Sequence, residues 1–370
     1  MSLKHWLWLH RWSSLVCTLF LLLLCLTGLP LVFQEEIEHA LQPAIDQSPG
    51  AEPLPLERLV ALGQARAPGL VLRYLIWDHR APGRIKLNFD QALDTPRGNS
   101  RIFTLDAYSG SQLPDDNALL EFILDLHTDL LAGLPGSLLL GFMGLLLAVS
   151  LVSGCVVYAP FMRRLGFAEM HRHRNARIRW LGWHNLLGIV SLVWLLVVGL
   201  TGVLNTLAIP LFQHWQSDQL AQLVAPYRGQ PRVADPVPPG MALGVAAQAL
   251  PGSQPEFLAM PGTFFSSPQH YAVFMRGRTP LTSEILQPVL VEARSGKLSA
   301  VAEPRWYIVA LELSRPLHFG NYGGLPLKLI WAAFDIVAIV VLGSGVYLWL
   351  ARQGGKRGLR GAGNLPPRLP

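Results

Sequence analysis

The chain has 370 residues, of which 51% are hydrophobic and 15% are charged, and its formal net charge is +6. A mean hydropathy of +0.33 is unusual for a soluble domain and indicates a membrane protein with soluble parts. The basic residues lie beside apolar segments, so the positive charge favours a role in membrane topology over binding to nucleic acid.

Four apolar segments are long enough to cross a hydrocarbon core, which takes about 20 residues. We predict membrane-spanning helices at 13–33, 136–159, 183–209 and 326–350. The first span follows Lys4 and Arg11, as the apolar part of a secretion signal would. However, its apolar run is too long, and no small-residue cleavage site follows it. We therefore interpret it as a retained anchor.

Lysine and arginine near the ends of the spans predict the orientation. The segment 160–182, between the second and third spans, contains Arg163, Arg164, Arg172, Arg174, Arg177 and Arg179. The segment 351–370, after the fourth span, contains Arg352, Lys356, Arg357 and Arg360. We expect both segments and residues 1–12 to be cytoplasmic. Segments 34–135 and 210–325 would then be periplasmic domains of a multi-pass protein of the bacterial inner membrane.

The positions of the cysteines argue against several kinds of metal centre. Cys17, Cys25 and Cys155 all fall in predicted spans, and the sequence has no C-x-x-C pair. This pattern argues against a cysteine zinc site, an iron–sulfur cluster and covalently attached haem. The ordinary role of such cysteines is that of a small buried side chain.

Two similar stretches, LHTDLLAGLP at 126–135 and LHFGNYGGLP at 317–326, indicate an internal repeat. A shift of 191 residues superimposes His127 and Gly154 on His318 and Gly345. A shift of 174 residues superimposes His10 and Gly28 on His184 and Gly202. Each half contains two spans, so both halves insert in the same orientation and are related by an axis along the membrane normal. Equivalent residues then face each other at equal depth, which predicts two histidine pairs.

The two long connections between spans resemble each other as well. Each contains a segment with helical spacing, at 56–67 and 241–250, followed by alternating segments typical of strands. The predicted fold class is therefore an α-helical membrane protein with four transmembrane helices from a tandem parallel repeat. Two small α+β periplasmic domains complete it.

Paired histidines on opposed helices are typical axial ligands of haem iron. Zinc would take four protein ligands, or three and a water, and no third ligand recurs with either pair. Gly28 lies 18 residues beyond His10, about 27 Å along a helix, and so falls at the depth of the other histidine pair. Glycine would let the backbone approach a bulky planar ligand. The alternative is that these glycines only let helices pack closely.

Several other residues are weaker candidates. Propionate groups of a haem would need basic partners, for which Lys4, Arg11, Arg177, Arg179, Arg315 and Lys328 are available. Asp335 lies within the fourth span and breaks the repeat, because its equivalent is Gly144. It could hydrogen-bond a haem group, carry a proton or pair with Lys328. His39 and His214 are reserve candidates for ligation, whereas His171 and His173 are expected to be solvated.

In its motifs the chain resembles the PepSY-associated transmembrane family. The resemblance rests on LHRW at Leu9–Trp12, the paired LH…GLP stretches, LTG in the first and third spans, and SRPLHFG at Ser314–Gly320. Two predicted strands that end in the motif Asp/Glu-x-x-Ser-Gly, at 106–110 and 292–296, support the same resemblance. Within the family, the chain is similar to inner-membrane siderophore-iron reductases of the FoxB type. The resemblance implies PepSY-like periplasmic domains, two haem b groups held by His10, His184, His127 and His318, and reduction of a ferric siderophore.

In this interpretation, single electrons cross the membrane to the ferric complex and release Fe(II). The sequence contains no convincing nicotinamide or flavin motif, so the donor would be membrane quinol or a separate reductase. Three alternatives remain open. They are a b-type cytochrome with another periplasmic acceptor, a non-enzymatic PepSY sensor or inhibitor, and a metal transporter.

Overall fold

A computed structural model of the chain describes residues 2–41, 45, 52–79, 81–94, 100–115, 117–162, 175–279 and 282–362. The helices are α1 (Leu3–Val32), α2 (Gln34–Leu41), α3 (Leu56–Arg66), α4 (Ala118–Asp129), α5 (Leu134–Met162), α6 (Ala176–Val190), α7 (Leu192–Thr206), α8 (Ala208–Trp215), α9 (Ala221–Leu223), α10 (Pro239–Ala249), α11 (Trp306–Phe319) and α12 (Gly324–Ala362). The strands are β1 (Val71–Trp77), β2 (Arg84–Asp90), β3 (Arg101–Asp106), β4 (Gln254–Ala259), β5 (His270–Arg276), β6 (Leu286–Glu292) and β7 (Leu298–Val301). The predictions for Arg163, Arg164, Arg172, Arg174, His171 and His173 concern residues outside these ranges.

The chain divides into two compact units. The helical unit comprises Met1–Gln34, Leu119–Leu207 and Ser314–Pro370. The sheet unit comprises Glu35–Ala118 and Ala208–Leu313. Each unit therefore draws on both halves of the repeat.

Among the residues that the structure describes, three helices of the helical unit are long and apolar enough to cross a membrane. They are α1, the segment Leu134–Pro160 of α5, and Asn321–Gln353, which is mostly α12. Their most apolar windows have mean hydropathies of 2.6, 2.3 and 2.2. Most residues in these windows are not buried within the protein, as expected for helices that face lipid. Three of the four predicted spans are thus continuous helices.

The predicted span at 183–209 is instead a broken helix. Its two parts, α6 and α7, meet at Ser191 with a bend of 63°, and together they would make a fourth span. The buried Ser191 hydroxyl donates a hydrogen bond of 2.7 Å to the Leu187 carbonyl. A serine that bonds back to the preceding turn competes with the helical ladder and is a known cause of bending.

The helices pack in a pattern that follows the repeat. Within the first half α1 contacts α5, and within the second half α6 contacts α12. Between the halves α1 contacts α12, and α5 contacts α7. Each spanning segment therefore has one neighbour from its own half and one from the other half. This arrangement brings equivalent residues of the two halves together.

The sheet unit contains one seven-stranded antiparallel sheet with the order β3-β2-β1-β4-β5-β6-β7. The two halves join where β1 pairs with β4, at Tyr74↔Ala259, Leu75↔Leu258 and Ile76↔Phe257. A shift of 183 residues relates Leu75 to Leu258, so the paired residues are also repeat equivalents. A local two-fold axis thus passes through this pair, whose side chains are both fully buried.

The expectation of two separate α+β domains is corrected by this sheet. A single core includes Leu59 of α3, Ala242 and Ala246 of α10, and residues of β1, β2, β3, β4, β5 and β6. A second cluster packs Trp215 and Tyr307 against residues of β4, β5 and β6. Each half has the predicted helix and strands. In one half alone, however, one edge of β1 or of β4 would have no partner strand. Pairing β1 with β4 removes both edges.

Candidate functional site: two histidine pairs

The structure places the four predicted histidines in two pairs within the helical unit. His10 of α1 faces His184 of α6, with ring centres 6.4 Å apart and ring planes inclined by 63°. His127 of α4 faces His318 of α11, with ring centres 6.3 Å apart and planes inclined by 62°. We call these the first pair and the second pair. Different helices therefore produce nearly the same geometry twice.

This separation suits two ligands on opposite sides of one metal ion. A transition metal binds an imidazole nitrogen at about 2 Å, and this nitrogen lies roughly 1 Å from the ring centre, so opposed rings have centres about 6 Å apart. Two opposed ligands leave the plane between them free. Such a pair suits a metal that brings four ligands in that plane, as haem iron does.

A bare zinc ion fits the same residues less well. Zinc sites use three or four protein ligands. Among the residues that the structure describes, no group of three or more His, Cys, Asp and Glu side chains could hold a metal ion. All four histidines are intermediate in exposure. The residues present therefore fit haem.

A backbone carbonyl fixes the orientation of each ring. The Nδ1 of His10 lies 2.9 Å from the Ser150 carbonyl oxygen, and the Nδ1 of His184 lies 3.1 Å from that of Val341. In the second pair, the Nδ1 of His318 lies 3.0 Å from the Val198 carbonyl, and His127 bonds to the Leu24 carbonyl. A carbonyl only accepts, so Nδ1 carries the proton in His10, His184 and His318. In those three rings Nε2 is left as the nitrogen with a free lone pair, which a metal requires. In His127 the partner of Nδ1 is the Thr27 hydroxyl, 2.9 Å away.

Each of these carbonyls lies four residues before one of the predicted glycines. The four carbonyl–glycine pairs are Ser150 with Gly154, Leu24 with Gly28, Val341 with Gly345, and Val198 with Gly202. A Cβ added to Gly154, Gly28 or Gly202 would lie 3.1–3.2 Å from the histidine ring that bonds to the carbonyl four residues earlier. For Gly345 the corresponding distance to His184 is 3.5 Å, an ordinary contact. The glycines thus make room for imidazole rings beside the helix backbone.

This contact changes the role assigned to the glycines. Two roles were predicted from the sequence, namely contact with a planar cofactor and close packing of helices. The structure shows a third, in which the missing Cβ lets an imidazole reach the carbonyl one turn earlier. In this structure the glycines lie against the candidate ligands.

Side-chain hydroxyls add a second partner to several rings. Thr27 Oγ1 lies 2.9 Å from the Nδ1 of His127, and its repeat equivalent Thr201 lies 3.3 Å from that of His318. The Thr27 hydroxyl also donates to the Leu23 carbonyl, so its oxygen is available to accept from the ring. In the first pair, Ser344 Oγ lies 2.9 Å from the Nδ1 of His184.

The other candidates have different surroundings. The carboxyl of Asp335 lies near the Cys25 thiol, a contact that was not predicted from the sequence. Lys328 is buried, with 3% of its surface exposed, and is therefore not a freely solvated cation. His39 on α2 and His214 on α8 are exposed and belong to the sheet unit. Neither belongs to the first or second pair.

Sequence reasoning missed the four carbonyl acceptors, because a backbone group leaves no side-chain signature. The signal that could have found them is the glycine one turn later. It also missed Thr27 and Thr201, although both precede a predicted glycine in the LTG motif. A hydroxyl next to a glycine that faces a ring is well placed to become a partner of that ring.

Comparisons with known proteins agree with these motifs. The family model of the PepSY-associated TM region matches residues 7–352, a region that includes all four histidines. The chain is also similar to the uncharacterised protein PA4219 of Pseudomonas aeruginosa, with 25% identity over 259 residues. That match covers 63% of this chain and 64% of the relative, a little under two thirds of the relative's length. Because the relative is uncharacterised, the similarity indicates kinship and no activity.

Proposed function

Because the chain belongs to the PepSY-associated transmembrane family, we propose that it is a haem-containing membrane reductase. In this proposal, it passes single electrons to a ferric siderophore and releases Fe(II). The observation that supports the proposal most strongly is the repeated pairing of histidines, with ring centres 6.3–6.4 Å apart and the Nδ1 of each ring engaged by a polar group. The siderophore class comes from the FoxB-type resemblance of the motifs.

The first pair would hold one haem b and the second pair another. When bound, haem supplies reversible one-electron chemistry at its iron. The protein's own part is to orient four imidazoles and fix their tautomer through the carbonyls of Ser150, Val341, Leu24 and Val198. A proton on Nδ1 that is shared with a carbonyl also makes Nε2 a better donor to the metal.

The two pairs lie far apart along the helices. His10 and Gly28, which marks the second pair, are separated by 18 residues of the continuous helix α1, or about 27 Å. That distance is close to the thickness of a hydrocarbon core, about 30 Å. The proposed electron route therefore runs from one side of the membrane to the other. We expect the first pair on the cytoplasmic side, where membrane quinol or a separate reductase would supply electrons.

The proposal is tested with the full-length protein reconstituted in lipid vesicles. A reductant is supplied on one side and a ferric hydroxamate siderophore on the other, and a chromogenic Fe(II) chelator reports release. We expect Fe(II) to form with the wild type and to fall at least tenfold with His127→Ala. His39→Ala, which changes an exposed histidine, serves as the matched control. If the haem is oxidised by another acceptor but not by ferric siderophores, the result would favour a b-type cytochrome that serves another acceptor. A protein that contains no haem would favour the non-enzymatic sensor or inhibitor.

A further inference from the structure

The two halves of the helical unit differ at one pair of equivalent positions. Asp335 of α12 lies near Cys25 of α1. Their repeat equivalents are Gly144 of α5 and Gly199 of α7. A Cβ on Gly144 would lie 3.4 Å from the Gly199 carbonyl oxygen and 2.7 Å from Val203, so those helices are in close contact. One half thus has a tight glycine contact where the other has a carboxyl and a thiol.

The surroundings of Asp335 are also more polar than those of its repeat equivalent, Gly144. Cys25 packs in a cluster with Trp194, Trp331 and Phe334, and we call these four residues and Asp335 the Asp335 cluster. The buried indole nitrogens of both tryptophans have no hydrogen-bond partner among the described residues. The repeat equivalents of Trp194, Trp331 and Phe334 are Phe20, Leu140 and Met143, which have no N–H or O–H group to donate.

Asp335 occupies a position that is unfavourable for a charge. Its exposed fraction is 7%, and its Oδ2 has no hydrogen-bond partner among the described residues. An ionised carboxylate removed from water costs several kcal/mol unless charges or hydrogen bonds compensate it. Glycine at the equivalent position avoids this cost. A buried acid retained in a spanning helix is therefore expected to have a function.

The Asp335 cluster lies against the backbone groups that hold the second pair. Cys25 directly follows Leu24, whose carbonyl accepts a hydrogen bond from His127. Val198, which packs against the same cluster, offers its carbonyl to His318. A charge that appears at the second pair therefore acts on Asp335 through low-dielectric surroundings, where electrostatic interactions are strong.

We propose that Asp335 would take up one proton when a haem held by the second pair is reduced by one electron, and would release it when that electron leaves. This inference rests on the proposed function. The electron comes from the membrane quinol or separate reductase of the proposed function. The proton comes from water and converts the carboxylate to a carboxylic acid. The net charge around the second pair then stays constant during each cycle. Loss of the electron to the ferric acceptor restores the carboxylate and the proton returns to water.

The groups facing Asp335 fit a proton better than a metal ion. From α1 the titratable neighbour is the Cys25 thiol. On α12, Lys328 lies seven residues earlier, and His184 of α6 bonds to Val341, six residues later. The fully described α7 has no acidic, basic, histidine, cysteine or tyrosine side chain. The cluster thus contains one carboxyl, one thiol and two indole N–H groups, which are too few ligands for a cation.

The test is a spectroelectrochemical titration of the haem-loaded, full-length protein at several pH values. It is made in the His10→Ala background, in which only the second-pair haem is expected. We expect the midpoint potential to fall as pH rises, with a slope approaching about 59 mV per tenfold change in proton concentration for a one-electron couple. Asp335→Asn should flatten this slope, and Asp335→Glu should restore it. Asp125→Asn, which removes an exposed carboxyl on α4, is the matched control.

A reduced-minus-oxidised infrared spectrum gives a second readout. The wild type should show a carboxylic acid band on reduction, and Asp335→Asn should lack it. A haem-loaded protein with the same slope in wild type and Asp335→Asn would overturn the inference and leave the proposed function intact. A protein that binds no haem would overturn the proposed function itself, which is a distinguishable result.

Discussion

The helical unit and the sheet unit use the same internal repeat in different ways. In the helical unit the repeat preserves particular atoms: a histidine, its carbonyl acceptor and a glycine one turn later occur four times. In the sheet unit it preserves strand pairing. The shift that relates Leu75 to Leu258 also relates Tyr74 to Phe257 and Ile76 to Ala259, so size and polarity change.

This difference shows what each unit requires of its sequence. A sheet needs apolar residues on its buried faces and a consistent register, and many side chains satisfy both needs. A ligand pair needs a nitrogen at a fixed position, which few substitutions preserve. An internal repeat that keeps chemistry in one unit and only pattern in the other therefore points to the unit that holds the functional site.

The largest effect on the helical unit is expected when a bulky side chain replaces one of the glycines that contact a histidine ring. In Gly202→Val, the Cβ would lie 3.1 Å from His318, and the added methyl groups would displace the ring from the Val198 carbonyl. We expect the loss of about one of two haems, measured as haem per chain. Gly343→Val, at a glycine of α12 with nothing within 4 Å of an added Cβ, should keep both. Retention of both haems by Gly202→Val would contradict this role of the glycine.

A cavity at the centre of the sheet should affect the other unit alone. Leu75→Ala removes a fully buried side chain at the junction of β1 and β4. We expect the sheet unit to lose about 2–5 kcal/mol of stability. Limited proteolysis in urea measures this loss, and haem content should not change. Leu298→Ala, at a residue that is 47% exposed, should have little effect. A parallel loss of haem in Leu75→Ala would argue against independent roles for the two units.

Removal of the hydroxyl beside a histidine ring should have a smaller effect on haem binding. The size of the effect should differ between His127 and its repeat equivalent His318. Thr27→Val removes the 2.9 Å contact with His127 but leaves the Leu24 carbonyl in place. Loss of such an outer partner weakens metal binding by roughly 10–100-fold, so haem should dissociate faster. Thr201→Val, where the contact is 3.3 Å, should have less effect. Thr18→Val is the control, since Thr18 bonds to the Ser14 carbonyl of its own helix. An equal effect of all three variants would contradict this ranking.

The smallest expected effect is a pH dependence confined to the sheet unit. Burial lowers the pKa of His270, with an opposing contribution from Glu292. In the unfolded chain the histidine pKa is about 6.5, so the unfolded state binds the proton first as pH falls. The stability due to neutral His270 is therefore complete above about pH 6.5 and is lost below it. Urea unfolding of the sheet unit between about pH 8 and 5.5 measures this loss. His270→Gln should make stability less dependent on pH, and a wild type that becomes more stable in acid would contradict the assignment.

The parts of the helical unit that the sequence predicts are those set by local composition and by the repeat. Apolar length predicts α1, α5 and α12, and the shifts of 191 and 174 residues predict which histidines face each other. The bend at Ser191 was not predicted, because it depends on one hydroxyl bonding to the preceding turn. The Cys25–Asp335 contact was not predicted either, because it depends on the register of two packed helices.

The sheet unit shows the same limit at a larger scale. Alternating apolar residues predict the individual strands, which are local features. The joining of β1 to β4 brings together residues 183 positions apart, such as Leu75 and Leu258, and no local pattern encodes that contact. The local two-fold axis is visible only once the register of this pair is known.

Haem binding by the two histidine pairs is tested by a reduced-minus-oxidised optical spectrum of the purified full-length protein, with haem quantified per chain. We predict about two low-spin b-type haems in the wild type. His10→Ala and His318→Ala should each lose about one haem, because they disrupt the first and the second pair separately. A protein that stays colourless when produced with added haem would contradict the account.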